Sequence, residues 1–225
     1  MKQEHAGQWR GRLLDLATIA AVIGALTVGG ISAWDRFVAP ARAAAPATIR
    51  DWRTYAEVGN RSGPADAPVT VVYFGDYQCP YCRMMAPRLD SLHAEFPAEV
   101  VIVHRHWPLP NHSAAYSAAR AAECAGAQGH FATYNTLLYS GDAWMEDFGL
   151  FEHLAVEAKV EDIEAFRECV MESKPVESIE RDILAVRELG GRGTPTILIN
   201  DKLQRTLPTL EDLRTMVREA AGSRN

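Results

Sequence analysis

Cysteine is scarce. Four residues in 225 cannot staple a miniprotein together, and only Cys79 and Cys82 stand as a C-x-x-C pair, which excludes a zinc site built from two such pairs. No internal repeat is visible, and positive charge is in deficit, with 23 Lys/Arg against 29 Asp/Glu and a net charge of −6. The first 45 residues hold five of the cations and three of the anions, so the remaining chain carries −8 and is a poor match for nucleic acid. Long apolar runs are absent beyond one at the amino terminus, which excludes a multi-span membrane protein. A composition of 48% hydrophobic and 23% charged residues likewise excludes a disordered or collagen-like chain. The length suits one ordinary domain with an appendage, large enough for a packed core.

The single apolar run, Leu16 to Trp34, has no formal charge over 19 residues. As a helix it spans about 28 Å, close to the roughly 30 Å hydrocarbon core of a bilayer. Lys2, Arg10 and Arg12 precede it, and Trp9 and Trp34 sit near its ends, so the positive-inside rule keeps the amino terminus cytoplasmic. The predicted organisation is a cytoplasmic stretch over 1–12, a transmembrane signal-anchor over 13–34, an Ala/Pro-rich linker over 35–50 and a folded domain over 51–225. That domain is placed on the periplasmic, extracytoplasmic side of a bacterial cytoplasmic membrane. A cleaved signal peptide is the competing reading, because Ala41-Arg42-Ala43 and Ala43-Ala44-Ala45 both fit a small-x-small cleavage pattern. Either route exports the domain to an oxidising compartment where disulfides persist.

Within the domain, Val69 to Phe74 is β-branched, aromatic and apolar on both faces, the pattern of a buried central strand. Residues 51 to 58 are a candidate edge strand. Cys79-Pro80 opens a helix predicted to run to about Phe96, with Met85, Leu89, Leu92 and Phe96 at spacings of three and four. Glu99 to Trp107 returns as a second strand, giving a β-α-β unit. From 111 to 189 five segments carry helical periodicity, near 113–127, 130–138, 148–158, 161–171 and 176–189, and read as an all-helical insertion. Thr196 to Ile199 is a short strand, Asn200-Asp201 a turn, Leu203 to Leu207 a returning strand, and Thr209 to Ala221 a closing helix.

Chemistry concentrates at Cys79-Pro80-Tyr81-Cys82. Pro80 suits the first helical position, where a missing N–H loses nothing and φ is already helical. The Cys79 sulfur then lies by the free amides and positive pole of the helix, which favour a thiolate, while Cys82 sits one turn in and is buried. Of the two, only Cys79 is expected to face solvent. A lowered pKa makes Cys79 both nucleophile and leaving group, and a stabilised reduced state makes the disulfide an oxidant. An inert disulfide, or a metal held with His104 and His106 on the second strand, are the alternatives for this pair.

The segment Phe74-Gly75-Asp76-Tyr77-Gln78-Cys79-Pro80-Tyr81-Cys82 resembles the active-site signature of DsbA-like proteins in the thioredoxin superfamily. Pro108-Leu109 with His112, Ala122-Glu123-Cys124-Ala125 before Gly129-His130-Phe131, and Gly193-Thr194-Pro195-Thr196 follow in order, so the likeness covers residues 66 to 217. The resemblance implies an α/β thioredoxin-like fold with an all-helical insertion, no cofactor beyond the redox-active Cys79–Cys82 disulfide, and no metal. It also implies a cis-proline at Pro195 facing the dithiol, with the Thr194 backbone pairing to an extended substrate. One departure stands out: Tyr73 occupies the place, six residues before Cys79, where many relatives bury a carboxylate that manages the resolving thiol's proton. Asp76 is nearer, and the proton acceptor for Cys82 is left unassigned.

Cys124 and Cys169 fall in two different predicted helices, and in an exported protein we expect them to form a structural disulfide; two buried free thiols are the alternative. The predicted function is a membrane-anchored thiol-disulfide oxidoreductase that introduces disulfides into exported, cysteine-containing proteins. By resemblance, its reoxidation falls to a membrane partner of the DsbB or vitamin K epoxide reductase type. A reductase or isomerase kept reduced by a membrane electron donor, and a non-catalytic thioredoxin-fold adaptor or metallochaperone, are the other readings.

Overall fold

The computed structural model describes residues 45–222. The signal-anchor expected over 13–34, and the linker up to residue 44, lie outside the described residues. Within them, no helix is long and apolar enough to cross a membrane.

Six strands make one sheet: β1 (Ala47–Thr48), β2 (Asn60–Ser62), β3 (Val69–Gly75), β4 (Val100–His106), β5 (Thr196–Ile199) and β6 (Lys202–Leu203), in the spatial order β1-β6-β5-β3-β4-β2. β3 is central because every one of its residues can be buried, and all seven are. It pairs in parallel with β4 and antiparallel with β5. Period-two alternation sends Val71 and Tyr73 into a core shared with the helical insertion, and Val72 and Phe74 into a second core on the other face with Trp107, Val186 and Leu198.

The helices are α1 (Arg53–Ala56), α2 (Pro80–Glu95), then α3 (Ala115–Gly126), α4 (Phe131–Ser140), α5 (Leu150–Glu157), α6 (Ile163–Met171) and α7 (Glu177–Glu188) between β4 and β5, and α8 (Leu210–Gly222) after β6. α2 buries Met85, Leu89 and Leu92, the stripe its periodicity marked out. The architecture is a thioredoxin-like α/β sheet interrupted by a helical insertion.

Three local expectations are corrected. The edge strand predicted over 51–58 is instead the single turn α1. Trp52, Tyr55 and Ala56, spaced by three and four, reach the second core together only as a helix. The Asp51 carbonyl receives both the backbone N–H and the hydroxyl of Thr54, at 3.2 and 2.8 Å. The linker assigned to 35–50 ends early, since Ala47 and Thr48 pair with Leu203 and Lys202, and Ile49 N–H donates to Asp201 O at 2.8 Å. The returning strand predicted over 203–207 is only Lys202–Leu203. It leaves the sheet after Gln204 N–H has donated to Ile197 O at 2.9 Å. Asn200, with φ 48°, takes the left-handed conformation that its two-residue turn requires.

Two devices hold the insertion. A disulfide joins Cys124 in α3 to Cys169 in α6 across 45 positions. Closing a loop of that length removes about 4 kcal/mol of unfolded-state entropy on the chain-entropy model. Cys124→Ala/Cys169→Ala is therefore expected to lower the unfolding free energy by about 2–5 kcal/mol in denaturant titration; a loss under about 1 kcal/mol would show that the bond constrains nothing. The second device is an ion pair between Arg105 of β4 and Asp182 of α7, at 2.7 Å, with both side chains 2% exposed. Asp182 also accepts the His106 N–H at 2.8 Å. Arg105 donates to Tyr55 O at 3.1 Å and lies over the Phe74 ring.

Candidate active site

β3 ends at Gly75, and the chain must turn within four residues to enter α2. Asp76 organises that turn. Its buried carboxylate accepts N–H bonds from Gln78 and from Leu109, each at 2.8 Å, and lies 2.7 Å from His112 Nδ1. Its carbonyl accepts the Cys79 N–H at 3.1 Å, and its own N–H points to Cys82 Sγ at 3.4 Å. Cys79 then caps α2 in extended conformation, and Pro80 takes the first helical position.

Cys79 and Cys82 are free thiols. The Cys79 sulfur lies 3.3 Å from the Thr194 carbonyl oxygen, and the Thr194-Pro195 bond is cis, so the residues singled out on two distant segments meet at one sulfur. Cys79 is only 4% exposed, a correction to the expectation that it faces solvent: the Thr194-Pro195 segment lies against it. Beside the cis peptide lies a shallow notch of about 180 Å³ lined by Tyr81, Thr194, Pro195, Ile197 and Leu207. Tyr81 projects outward, 59% exposed.

The two sulfurs differ sharply in acidity. Cys79 is lowered from 9.0 to about 5, chiefly because the Cys82 thiol donates to it. Burial opposes this, and the Thr194 side chain and the amides of Cys82 and Tyr81 add to it. The Thr194 hydroxyl is buried with no other partner, free to serve that anion. Cys82 is fully buried and shifts the opposite way, first by desolvation and then because it donates to Cys79. At neutral pH Cys79 is therefore thiolate while Cys82 keeps its proton.

This asymmetry has a sign in stability. In the reduced protein the Cys79 contribution is complete above its unfolded pKa of 9.0 and is lost as pH falls through about 5. Cys82, raised in the fold, contributes below pH 9 and loses that contribution only at higher pH, so it leaves the acidic window unchanged. The oxidised protein has neither thiol. Urea titrations of both forms should therefore show reduced-minus-oxidised stability shrinking steadily from pH 8 to pH 5; a constant difference would mean Cys79 is unperturbed.

Tyr73 lies beneath the pair. Its hydroxyl donates to Cys82 O at 3.4 Å and sits 3.5 Å from the Tyr139 hydroxyl. Burial first, and then Cys82, push its pKa up, so it remains a phenol that donates but cannot take the Cys82 proton. His104, directly across from Tyr73 in the β3–β4 register, is packed among Tyr73, Tyr77 and Phe131. Burial drives its pKa well below 6.5, so it is neutral. His106 lies 2.9 Å from Glu123, which also accepts from Asn60 and Ser178. Burial disfavours that carboxylate, but His106, Ser178 and Asn60 outweigh it and hold its pKa at about 2. The two imidazoles also meet each other, ring centroids 5.2 Å apart, and among the described residues no cluster of three or more His, Cys, Asp and Glu is arranged to hold a metal.

Sequence reasoning passed over the structural roles of Asp76 and Tyr139. Asp76 did carry a signal: an Asp two residues before Gln78, in a strand-to-helix turn, is the pattern of a side chain that accepts the i+2 N–H.

The Thioredoxin family model matches residues 56–219. The Na(+)/H(+) antiporter NhaA 1 of Salinispora arenicola is 35% identical over 167 residues, which make up 72% of this chain and 25% of the antiporter. The chain thus spans about a quarter of the length of the curated relatives it matches. Among solved structures, a thioredoxin-like oxidoreductase from Silicibacter pomeroyi aligns with a TM-score of 0.66 and 26% identity, covering 77% of this chain and 99% of that one. Oxidised BdbD from Bacillus subtilis aligns with a TM-score of 0.66 at 21% identity, covering 80% and 97%.

Proposed function

The chain belongs to the thioredoxin family as a DsbA-like thiol-disulfide oxidoreductase, and from that premise we propose that it introduces disulfide bonds into exported proteins. The observation that carries this reading is the inequality of its two sulfurs. A thiolate held near pKa 5 stabilises the reduced form. A stabilised reduced form makes the Cys79–Cys82 disulfide a better oxidant.

A client thiolate attacks Cys79 Sγ, the Cys79–Cys82 bond breaks, and the electron pair leaves on Cys82, which takes up a proton. The client's second thiolate attacks its own sulfur in the mixed disulfide, a client disulfide forms, and Cys79 departs as the stabilised thiolate. Two electrons pass from client to enzyme. Their removal falls to a membrane redox partner, of the DsbB or vitamin K epoxide reductase type on the family resemblance.

Export is supported by the Cys124–Cys169 bond, of a kind rare in a reducing cytosol, and by the apolar run over 16–34, read as a signal-anchor. The domain then works at the extracytoplasmic face of a bacterial membrane.

Trapping the thiols in cells with an alkylating reagent tests the direction of flow. The oxidase reading expects Cys79–Cys82 mostly as disulfide, and a potential nearer the roughly −120 mV of DsbA than the roughly −270 mV of thioredoxin. A pair found mostly as dithiol would reassign the protein to reduction or isomerisation.

A further inference from the structure

The edge that meets a client at Cys79 carries two arginines with nothing to bind. Arg205 lines the notch beside Tyr81, Thr194 and Pro195, and Arg192 is exposed two residues before Thr194. Among the described residues neither has a hydrogen-bond, ion-pair or ring partner, whereas Arg83, Arg167 and Arg214 are each held by carboxylates. The chain is net acidic, so unpaired cations at this edge locally offset a field that otherwise disfavours an acidic segment. They come from different loops: Arg192 lies two residues before Thr194, whose carbonyl is 3.3 Å from the Cys79 sulfur, and Arg205 lines the notch shared with Thr194 and Pro195. Tyr81, 59% exposed, lines the same notch, and Met84, 46% exposed, follows it by three residues on α2 and extends that apolar surface.

We propose that this edge selects clients whose cysteine is flanked by acidic side chains, with Arg192 and Arg205 as the specificity-determining residues. The inference rests on the reading that Cys79–Cys82 oxidises cysteines in extended client segments. Exposed ion pairs are individually weak, so two of them give a preference of about 3- to 10-fold, expressed mainly in the rate of encounter.

The test uses the oxidised protein and two synthetic two-cysteine peptides, identical except for Glu or Lys at the positions flanking each cysteine. Rates of peptide oxidation are read by acid quench and mass spectrometry. Charge near a thiol alters the peptide's own reactivity, so the measured quantity is the Glu/Lys rate ratio in the native protein divided by that in Arg192→Glu/Arg205→Glu. We expect this quotient to exceed about 10 at low salt and to collapse towards one at 1 M salt, where the Debye length is about 3 Å. Arg192→Gln/Arg205→Gln should give an intermediate ratio, and it keeps the test decisive should the charge-reversed protein fail to fold. A quotient near one with both peptides oxidised would overturn the inference and leave the oxidase reading intact. Failure to oxidise either peptide would overturn the oxidase reading, and the inference with it.

Discussion

Cys79→Ser is expected to abolish thiol-disulfide exchange, lowering the rate of insulin reduction by more than about 10³-fold, or at least about 4 kcal/mol of transition-state stabilisation. Serine offers no thiolate, cannot bond to Cys82 and cannot receive a client sulfur. Cys82→Ser should behave differently, because Cys79 keeps its helix-end amides and the Thr194 contact and still attacks. Without the resolving sulfur the mixed disulfide has no internal exit, so covalent enzyme–client adducts should accumulate on non-reducing gels. Cys79→Ser should form none. Equal adduct yields from the two variants would show that the roles of the sulfurs are misassigned.

Breaking the Arg105–Asp182 pair should produce the largest loss of stability outside the cysteines. Both side chains are 2% exposed, so Asp182→Leu leaves a guanidinium buried without its counter-charge and removes the acceptor of the His106 N–H. A loss of about 3–5 kcal/mol is expected, against a smaller one for Arg105→Met/Asp182→Leu, in which no charge is stranded. Denaturant unfolding of the native, single and double variants checks this. A single variant no less stable than the double would mean the pair is not desolvated. The pair ties α7 to β4, which borders β3, the strand that delivers the chain to Cys79.

What could be read from the chain was local. Val69–Phe74 announces a buried strand by composition, α2 by the spacing of Met85, Leu89 and Leu92, and α3 to α7 by repeated helical periods. The C-x-x-C with Pro80 located the chemistry, and the ordered likeness brought Thr194-Pro195 to it. What escaped was set by partners far along the chain. Asp76 looks like a turn residue until Leu109 and His112, 33 and 36 positions on, supply its donors. The cover over Cys79 comes from Thr194, 115 positions away. β1 is two residues long and exists only because Lys202 and Leu203 offer an edge to pair with, so no pattern within 45–50 foretells it. At 51–58 the apolar residues fit either period over so short a span, and the second core decided for a helical turn.

All of the chemistry assigned here depends on Cys79 being a thiolate at neutral pH. Following thiolate ultraviolet absorbance of the reduced protein against pH, with Cys79→Ser as the blank, measures that directly. A titration centred at about 5, absent from the blank and well separated from any ionisation of Cys82, is the predicted result. A midpoint near 9, the value of an ordinary cysteine, would contradict it.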